Sequence, residues 1–289
     1  MKILRTRYVL AAIASLLPVA CRTGEPVRAP QSQAKDTVRC AVIGGMVRTG
    51  MWQHLSKRFE EATGHRVEVV VSGPKDLIAP AMRQGRVDLI TMHASDTIIN
   101  LVADGYAVDP QPWAKNDLVI VGPAEDPAGI RGLTDAAEAM RKIVNARCPF
   151  AAHQSLGAMD VLREVVRAAG VSLDPKTTLM PVQDPKRGIL EYAARHHAYT
   201  LVGRVPFLDG KMPRAGLELM VQGDPALRRP YVVVVANPKR WPEAHYAAAR
   251  RLARFLRQAD TQAWIAEFGR HKLDDQPLFF PVAPDPENF

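Results

Sequence analysis

The sequence predicts an α/β protein of two lobes, each a mostly parallel doubly wound sheet with flanking helices. Three observations carry that expectation. Apolar strand patterns alternate with amphipathic helix patterns from Thr37 onward, a proline- and glycine-rich break, PAEDPAGIRG, follows Gly122, and an apolar strand, YVVVVANP, appears after Pro230. Such alternation buries parallel strands between two helix layers. A chain that leaves one lobe and returns places residues 38–122 and 230–289 in lobe 1 and 123–229 in lobe 2. Two crossing segments then form a hinge on which the lobes close.

The elements follow in order. VRCAVI reads as a strand, and MWQHLSKRFEEATG as a helix stopped by Gly64. RVEVVVSG is a strand with polar residues at alternate positions, and DLIAPAMRQG a short helix. VDLITMHA, SDTIINLVADGY and NDLVIVGP continue the rhythm as strand, helix and strand. In the second block LTDAAEAMRKIVNA, GAMDVLREVVRAAG and KRGILEYAARHH are helices, interleaved with the strands CPFAAH, TTLMPV, AYTLVGRVPFL and LELMVQGD. WPEAHYAAARRLARFLRQ and TQAWIAEFG are helices that follow the returning strand.

The first residues are read as an export signal, 1–20, rather than as part of the fold. Lys2, Arg5 and Arg7 precede the apolar run YVLAAIASLLPVA, which is too short to span a bilayer. Val19-Ala20-Cys21 resembles a bacterial lipobox, which makes Cys21 the predicted lipidation site, although Pro18 stands where leucine is usual. Residues 21–37 then read as a flexible tether. The chain holds 38 basic against 30 acidic residues. Without the three leader bases, 35 remain against 30, spread along the chain. That diffuse excess suits attraction of small anions and argues against nucleic acid as a partner. Cys40 and Cys148 are far apart in apolar surroundings and are expected to be buried, unpaired thiols. No C-x-x-C spacing exists, and His196-His197 are helix neighbours that share no face, so no metal and no cofactor is expected.

The stretch VIGGMVRTGM joins the first strand to the first helix. A glycine turn at that position leaves backbone N–H groups open to an anion. Gly44 and Gly45 are therefore candidate ligand contacts, Arg48 reaches toward the same space, and Thr49 is a candidate cap for the helix that follows. Ser72 lies at a strand's carboxyl end, where open α/β sheets bind ligands. His93, also at a strand end, reads as structural. Lys186, Arg187 and Gly188 open a helix in the second lobe, where an anion can meet N–H groups and bases. Tyr199, Thr200 and Arg204 fall near the hinge, with Arg204 as an ion-pair partner across it.

Several stretches together resemble one family. RFEEATGHRVEVVVSG, GRVDLITMHASDTIINLVADGYAVD, NDLVIVGPAEDPAGI, LMVQGDPALRRPYVVVVANP and FGRHKLDDQPLFFPV are similar to the tungstate-binding type of extracytoplasmic solute-binding protein of ABC transporters, a branch of the type II periplasmic binding fold. The resemblance covers about residues 38 to 282. It implies a periplasmic or cell-surface receptor, monomeric and lipid-anchored, that closes on an anion and delivers it to a membrane permease. Two departures stand out. Where the family's first loop carries Thr and Ser, this chain has Val42, Ile43, Gly44, Gly45 and Met46, and only Thr49 keeps a hydroxyl. Where the second-lobe loop carries an arginine, it has His153, followed by Gln154, Ser155 and Leu156-Gly157-Ala158-Met159. Each lost bond to a charged ligand removes about 1.5–3 kcal/mol. Met46, Leu156 and Met159 add apolar surface, so a larger organic anion is an alternative to a tungstate- or molybdate-like oxyanion. Histidine at position 153 strengthens anion binding as pH falls. No nucleophile motif supports an enzyme. A catalytic protein using His153, or a sensory or scaffold protein on the same fold, is the competing reading.

Overall fold

The computed structural model describes residues 36–152, 156–179 and 188–283. β1 (Thr37–Ile43), β2 (Arg66–Gly73) and β3 (Leu89–His93) pair in parallel, with β1 in the centre. Between them lie α1 (Gly44–Arg48), α2 (Met51–Thr63) and α3 (Lys75–Arg83), and α4 (Asp96–Ala103) follows β3. Gly64 ends α2 in the left-handed conformation at φ 72°, the stop that the sequence predicts.

Two long strands depart from the parallel expectation. β4 (Ala107–Gly122) and β9 (Arg228–Ala236) are antiparallel to each other, and β9 is antiparallel to β3. β4 also begins nine residues before the predicted NDLVIVGP. Pro110 and Pro112 hid that extension. The register shifts between Val108 and Gln111 and again between Pro112 and Ala114, and these irregularities take up residues that cannot donate to a ladder.

β4 serves two half-sheets. Its first part lies between β9 and β10 (Phe280–Pro281), and its last residues lie between β7 (Tyr199–Gly203) and β8 (Glu218–Val221). β7 continues in parallel to β5 (Phe150–Ala151) and β6 (Thr178–Leu179). The order is β2-β1-β3-β9-β4-β7-β5-β6, with β8 and β10 both on β4. The remaining helices are α5 (Ala136–Asn145), α6 (Leu156–Ala169), α7 (Ile189–Arg195), α8 (Arg204–Leu208), α9 (Tyr246–Arg257) and α10 (Ala259–Glu267).

Side-chain alternation explains why both faces are covered. Val38, Cys40 and Val42 enter one core with Trp52, Trp113 and Leu252, while Ala41 joins Ile78, Met82 and Ile90 on the opposite face. Beyond the crossing, Leu118 and Ile120 pack with residues of α5 and α6, whereas Val119 and Val121 pack with Ile189 and Phe207. Gly122 closes β4 beneath the buried Tyr199 ring, where an added Cβ would stand 2.3 Å from Cδ1. Cys40 and Cys148 are buried and free, as the sequence predicts.

Arg204 pins the crossing. It is fully buried and donates to Asp117 at 2.9 Å, to both oxygens of Asp274 at 2.8 and 2.9 Å, and to the Pro277 carbonyl. Burial pushes the Asp117 carboxyl up, with Arg204 opposing it.

Candidate functional site

The loop after β1 is a short helical turn. Gly45 faces open space, since an added Cβ would meet nothing within 4 Å, and Gly44 lies 3.6 Å, measured the same way, from the backbone of Gly73. The turns that end β1 and β2 thus lie side by side. Three predicted residues of this loop behave differently from expectation. Met46 is fully buried in the core with Met51 and Trp52, because its place in the turn points inward, and it offers no surface to a ligand. Thr49 does not cap α2, whose N-cap is the left-handed Gly50. Its hydroxyl donates backward to the carbonyls of Gly45 and Met46, at 3.0 and 3.2 Å. Arg48 pairs with Asp209, the residue that ends α8. Ser72 is exposed at the carboxyl end of β2, in register with Val42.

His153, Gln154, Ser155 and Arg187, together with Lys186, lie outside the described residues, as does Cys21. Met159 packs against the core beneath α6 rather than adding apolar surface to an opening.

The structure brings together a different set. His93 ends β3 and lies opposite Tyr231 of β9; the two rings stack at 4.2 Å. Arg229, two residues before Tyr231, lies opposite Asn116 of β4. Side chains two apart on a strand, and their direct cross-strand partners, share a face. All four therefore stand on one face of the sheet. Lys75, the first residue of α3, approaches from the end of β2.

These groups are poorly satisfied. His93 Nε2, Asn116 Oδ1 and Arg229 Nε are buried without a partner. Among the described residues neither the Lys75 nor the Arg229 side chain makes a hydrogen bond or ion pair. Burial first, then Arg229, lowers the Lys75 ammonium, with Asp160 and Asp96 opposing. Burial, then Arg229, then Lys75 holds the His93 imidazole well below its ordinary range. Arg229 is itself lowered by burial. Its Nη1 lies 2.8 Å from where a Cβ on Gly157 would stand, so the guanidinium rests on the first turn of α6. A guanidinium at a helix's first turn is a place where an anion is favoured.

The sequence reading missed Lys75, Asn116 and Arg229 and took His93 as structural. Lys75 carried a signal, since it follows the strand-end turn SGP. Arg229 carried less. In a parallel strand, the start of β9 would lie at the opposite edge of the sheet. Only the antiparallel pairing with β3 brings Arg229 to the carboxyl ends of β1 and β3.

Residues 40–271 match the family of bacterial extracellular solute-binding proteins. This chain belongs to that family. The binding protein is 33% identical over 242 residues, 81% of its length and 69% of the relative's, to a putative ABC transporter anion-binding protein of Haloferax volcanii. It is 24% identical over 281 residues, 96% of each chain, to the tungstate-binding protein TupA of Peptoclostridium acidaminophilum. Two solved structures share the fold. The tungstate-binding protein TupA of Desulfovibrio alaskensis superposes with a TM-score of 0.69 at 23% identity, over 86% of this chain and 99% of that one. The tungstate ABC transporter protein of Geobacter sulfurreducens gives 0.64 at 26% identity, over 80% and 98%. The architecture is the type II periplasmic binding fold that the resemblance implied. Among the described residues of this binding protein, no group of three His, Cys, Asp or Glu side chains is placed to hold a metal ion.

Proposed function

We propose that this protein is the extracytoplasmic substrate-binding component of an ABC transporter. It takes a small oxyanion of the tungstate or molybdate kind into a cleft between two lobes and delivers it to a membrane permease. The observation that carries the reading is the convergence of Lys75, His93 and Arg229 at the strand ends, where among the described residues none of the three side chains forms an ion pair. The names of the relatives point the same way. The lobes meet where β4 passes between half-sheets, and the open backbone at Gly45 faces the ligand with Ser72 beside it. The burial of Met46 and the packing of Met159 take two of the three apolar side chains, Leu156 being the third, out of the case for a larger, partly apolar anion.

A thermal-shift and calorimetric panel tests this: tungstate, molybdate, sulfate, phosphate and two organic dicarboxylates against the protein lacking residues 1–20. A ligand at a thousand times its Kd stabilises by about 4.1 kcal/mol. At roughly 2–4 °C per kcal/mol for a chain of this size, the melting point rises about 8–16 °C. A flat panel removes the proposal, and a response confined to the dicarboxylates restores the organic-anion alternative. The protein acts as a monomer tethered through a lipidated Cys21. Loss of membrane association in Cys21→Ala is expected, and unchanged membrane association in that variant removes the tether.

A further inference from the structure

We propose that Arg48 and Asp209 form a latch between the two half-sheets, an ion pair made when they close on an anion and broken when they open, so that it sets how long the anion is held. The proposal rests on the reading above that the protein is a receptor that closes on its ligand. It adds the contact that governs release.

The pair joins two separately packed bodies. The Arg48 guanidinium donates to Asp209 Oδ2 across 161 positions of sequence. Arg48 ends α1, and its neighbours on both sides are held by one core: Met46 and Met51 are fully buried with Trp52, and Val47 packs against the same cluster. Asp209 follows α8, and its neighbours on both sides are held by another core: Phe207 is buried with Val119 and Val202, and Leu208 and Met212 pack against that cluster. Close-packed interiors do not stretch, so each end of the pair travels with its own core. The Lys211 N–H donates to Asp209 Oδ1 at 3.0 Å, which leaves Oδ2 for Arg48.

α8 supplies the lever. Its first residue, Arg204, is pinned at the crossing by Asp117, Asp274 and the Pro277 carbonyl, and Val205 enters the same core as Met46. Asp209 stands five residues further on, about 7.5 Å along a helix axis. A rotation of the half-sheets that leaves Arg204 in place therefore carries Asp209 away from Arg48. The side chains of Arg48 and Asp209 are 35% and 18% exposed, so water can replace the pair when it parts. Arg204 and Asp117, at 0% and 1%, have no such exchange open to them. α1 is also the turn that leaves Gly45 facing open space. A ligand on that turn and the latch act on one five-residue element, and each favours the closed arrangement.

Two exposed positions report on the half-sheets directly, Gln53 on α2 and Glu164 on α6. In the chain lacking residues 1–21, Gln53→Cys and Glu164→Cys accept spin labels, while Cys40 and Cys148 are buried. Pulsed dipolar spectroscopy without ligand is expected to give one principal distance when the native pair is intact. Asp209→Asn adds a second population, and Asp209→Arg, which repels Arg48, enlarges it. The exchanged pair, Arg48→Asp with Asp209→Arg, restores the single distance. Stopped-flow release of tungstate is expected to be about two- to fivefold faster in Asp209→Asn. Melting temperatures stay within about 4 °C of wild type, which shows that the variants fold. Identical distance distributions with the native pair and with Asp209→Arg overturn the proposal. So does an exchanged pair that stays as open as Asp209→Arg, and so does an unchanged release rate in Asp209→Asn. Wild type that binds no anion of the panel removes the receptor reading instead, and the distances still decide whether the pair holds the half-sheets together.

Discussion

Replacing Arg204 with methionine probes the crossing between the half-sheets. The guanidinium is fully buried, and Asp117, its partner at 2.9 Å, has a side chain only 1% exposed. Asp274 is 19% exposed and can turn to water. Asp117 cannot, and its second oxygen already lacks a partner. In Arg204→Met the carboxyl group therefore stays buried with only a backbone hydrogen bond and the Arg228 charge to oppose the effect of burial. Breaking a buried pair from one side costs about 3–5 kcal/mol. For a chain of this size that lowers the melting temperature by roughly 6–20 °C. Urea denaturation followed by circular dichroism measures it. Converting both partners, in Arg204→Met with Asp117→Leu, is expected to recover most of the loss, because no buried charge is left unpaired. A loss below about 1 kcal/mol in the single variant, on the same scale, would falsify the claim that Arg204 neutralises a charge rather than fills space.

Two further outcomes follow from the geometry. His93 has a folded-state pKa below its ordinary 6.5, through burial and the Arg229 and Lys75 cations, with Asn116 alone opposing. The unfolded chain then binds more protons below that pH, so the ligand-free protein loses stability as pH falls from about 7 to 5, by up to about 1.4 kcal/mol per pH unit. His93→Gln flattens that slope in urea titrations at several pH values, and an unaltered slope rules the assignment out. Gly122→Ala drives a methyl to 2.3 and 2.5 Å from the ring of Tyr199, whose hydroxyl is held by Asp126 and the Ala128 N–H. A loss of about 1–3 kcal/mol in the urea midpoint is expected, and full stability would show that the ring moves freely.

Much of the fold was legible because its signals were local. Hydrophobic alternation placed β1, β3 and the last part of β4, and Gly64 marked the end of α2. What stayed hidden depended on pairing. The early half of β4 carries Pro110 and Pro112, which argue against a strand unless its register can slip, and slippage is a property of two strands together. The site divides the same way. Gly44, Gly45 and Ser72 announced themselves by lying in turns after strands, a position visible in one dimension. Met46 and Thr49 lie in the same loop, but whether a side chain points in or out of a five-residue helical turn is decided by packing. Arg229 is the clearest case. Its sequence neighbours, Arg228 and Pro230, look like an exposed loop, and only the antiparallel run of β9 carries it to His93 and Lys75.

Anomalous diffraction from crystals soaked in tungstate measures the central claim most directly, because the tungsten atom reports its own position. A peak within hydrogen-bonding reach of Arg229, Lys75 and His93, against the first turn of α6, is the expected result. A peak held by other groups, with the Arg229 guanidinium still unpartnered, contradicts it.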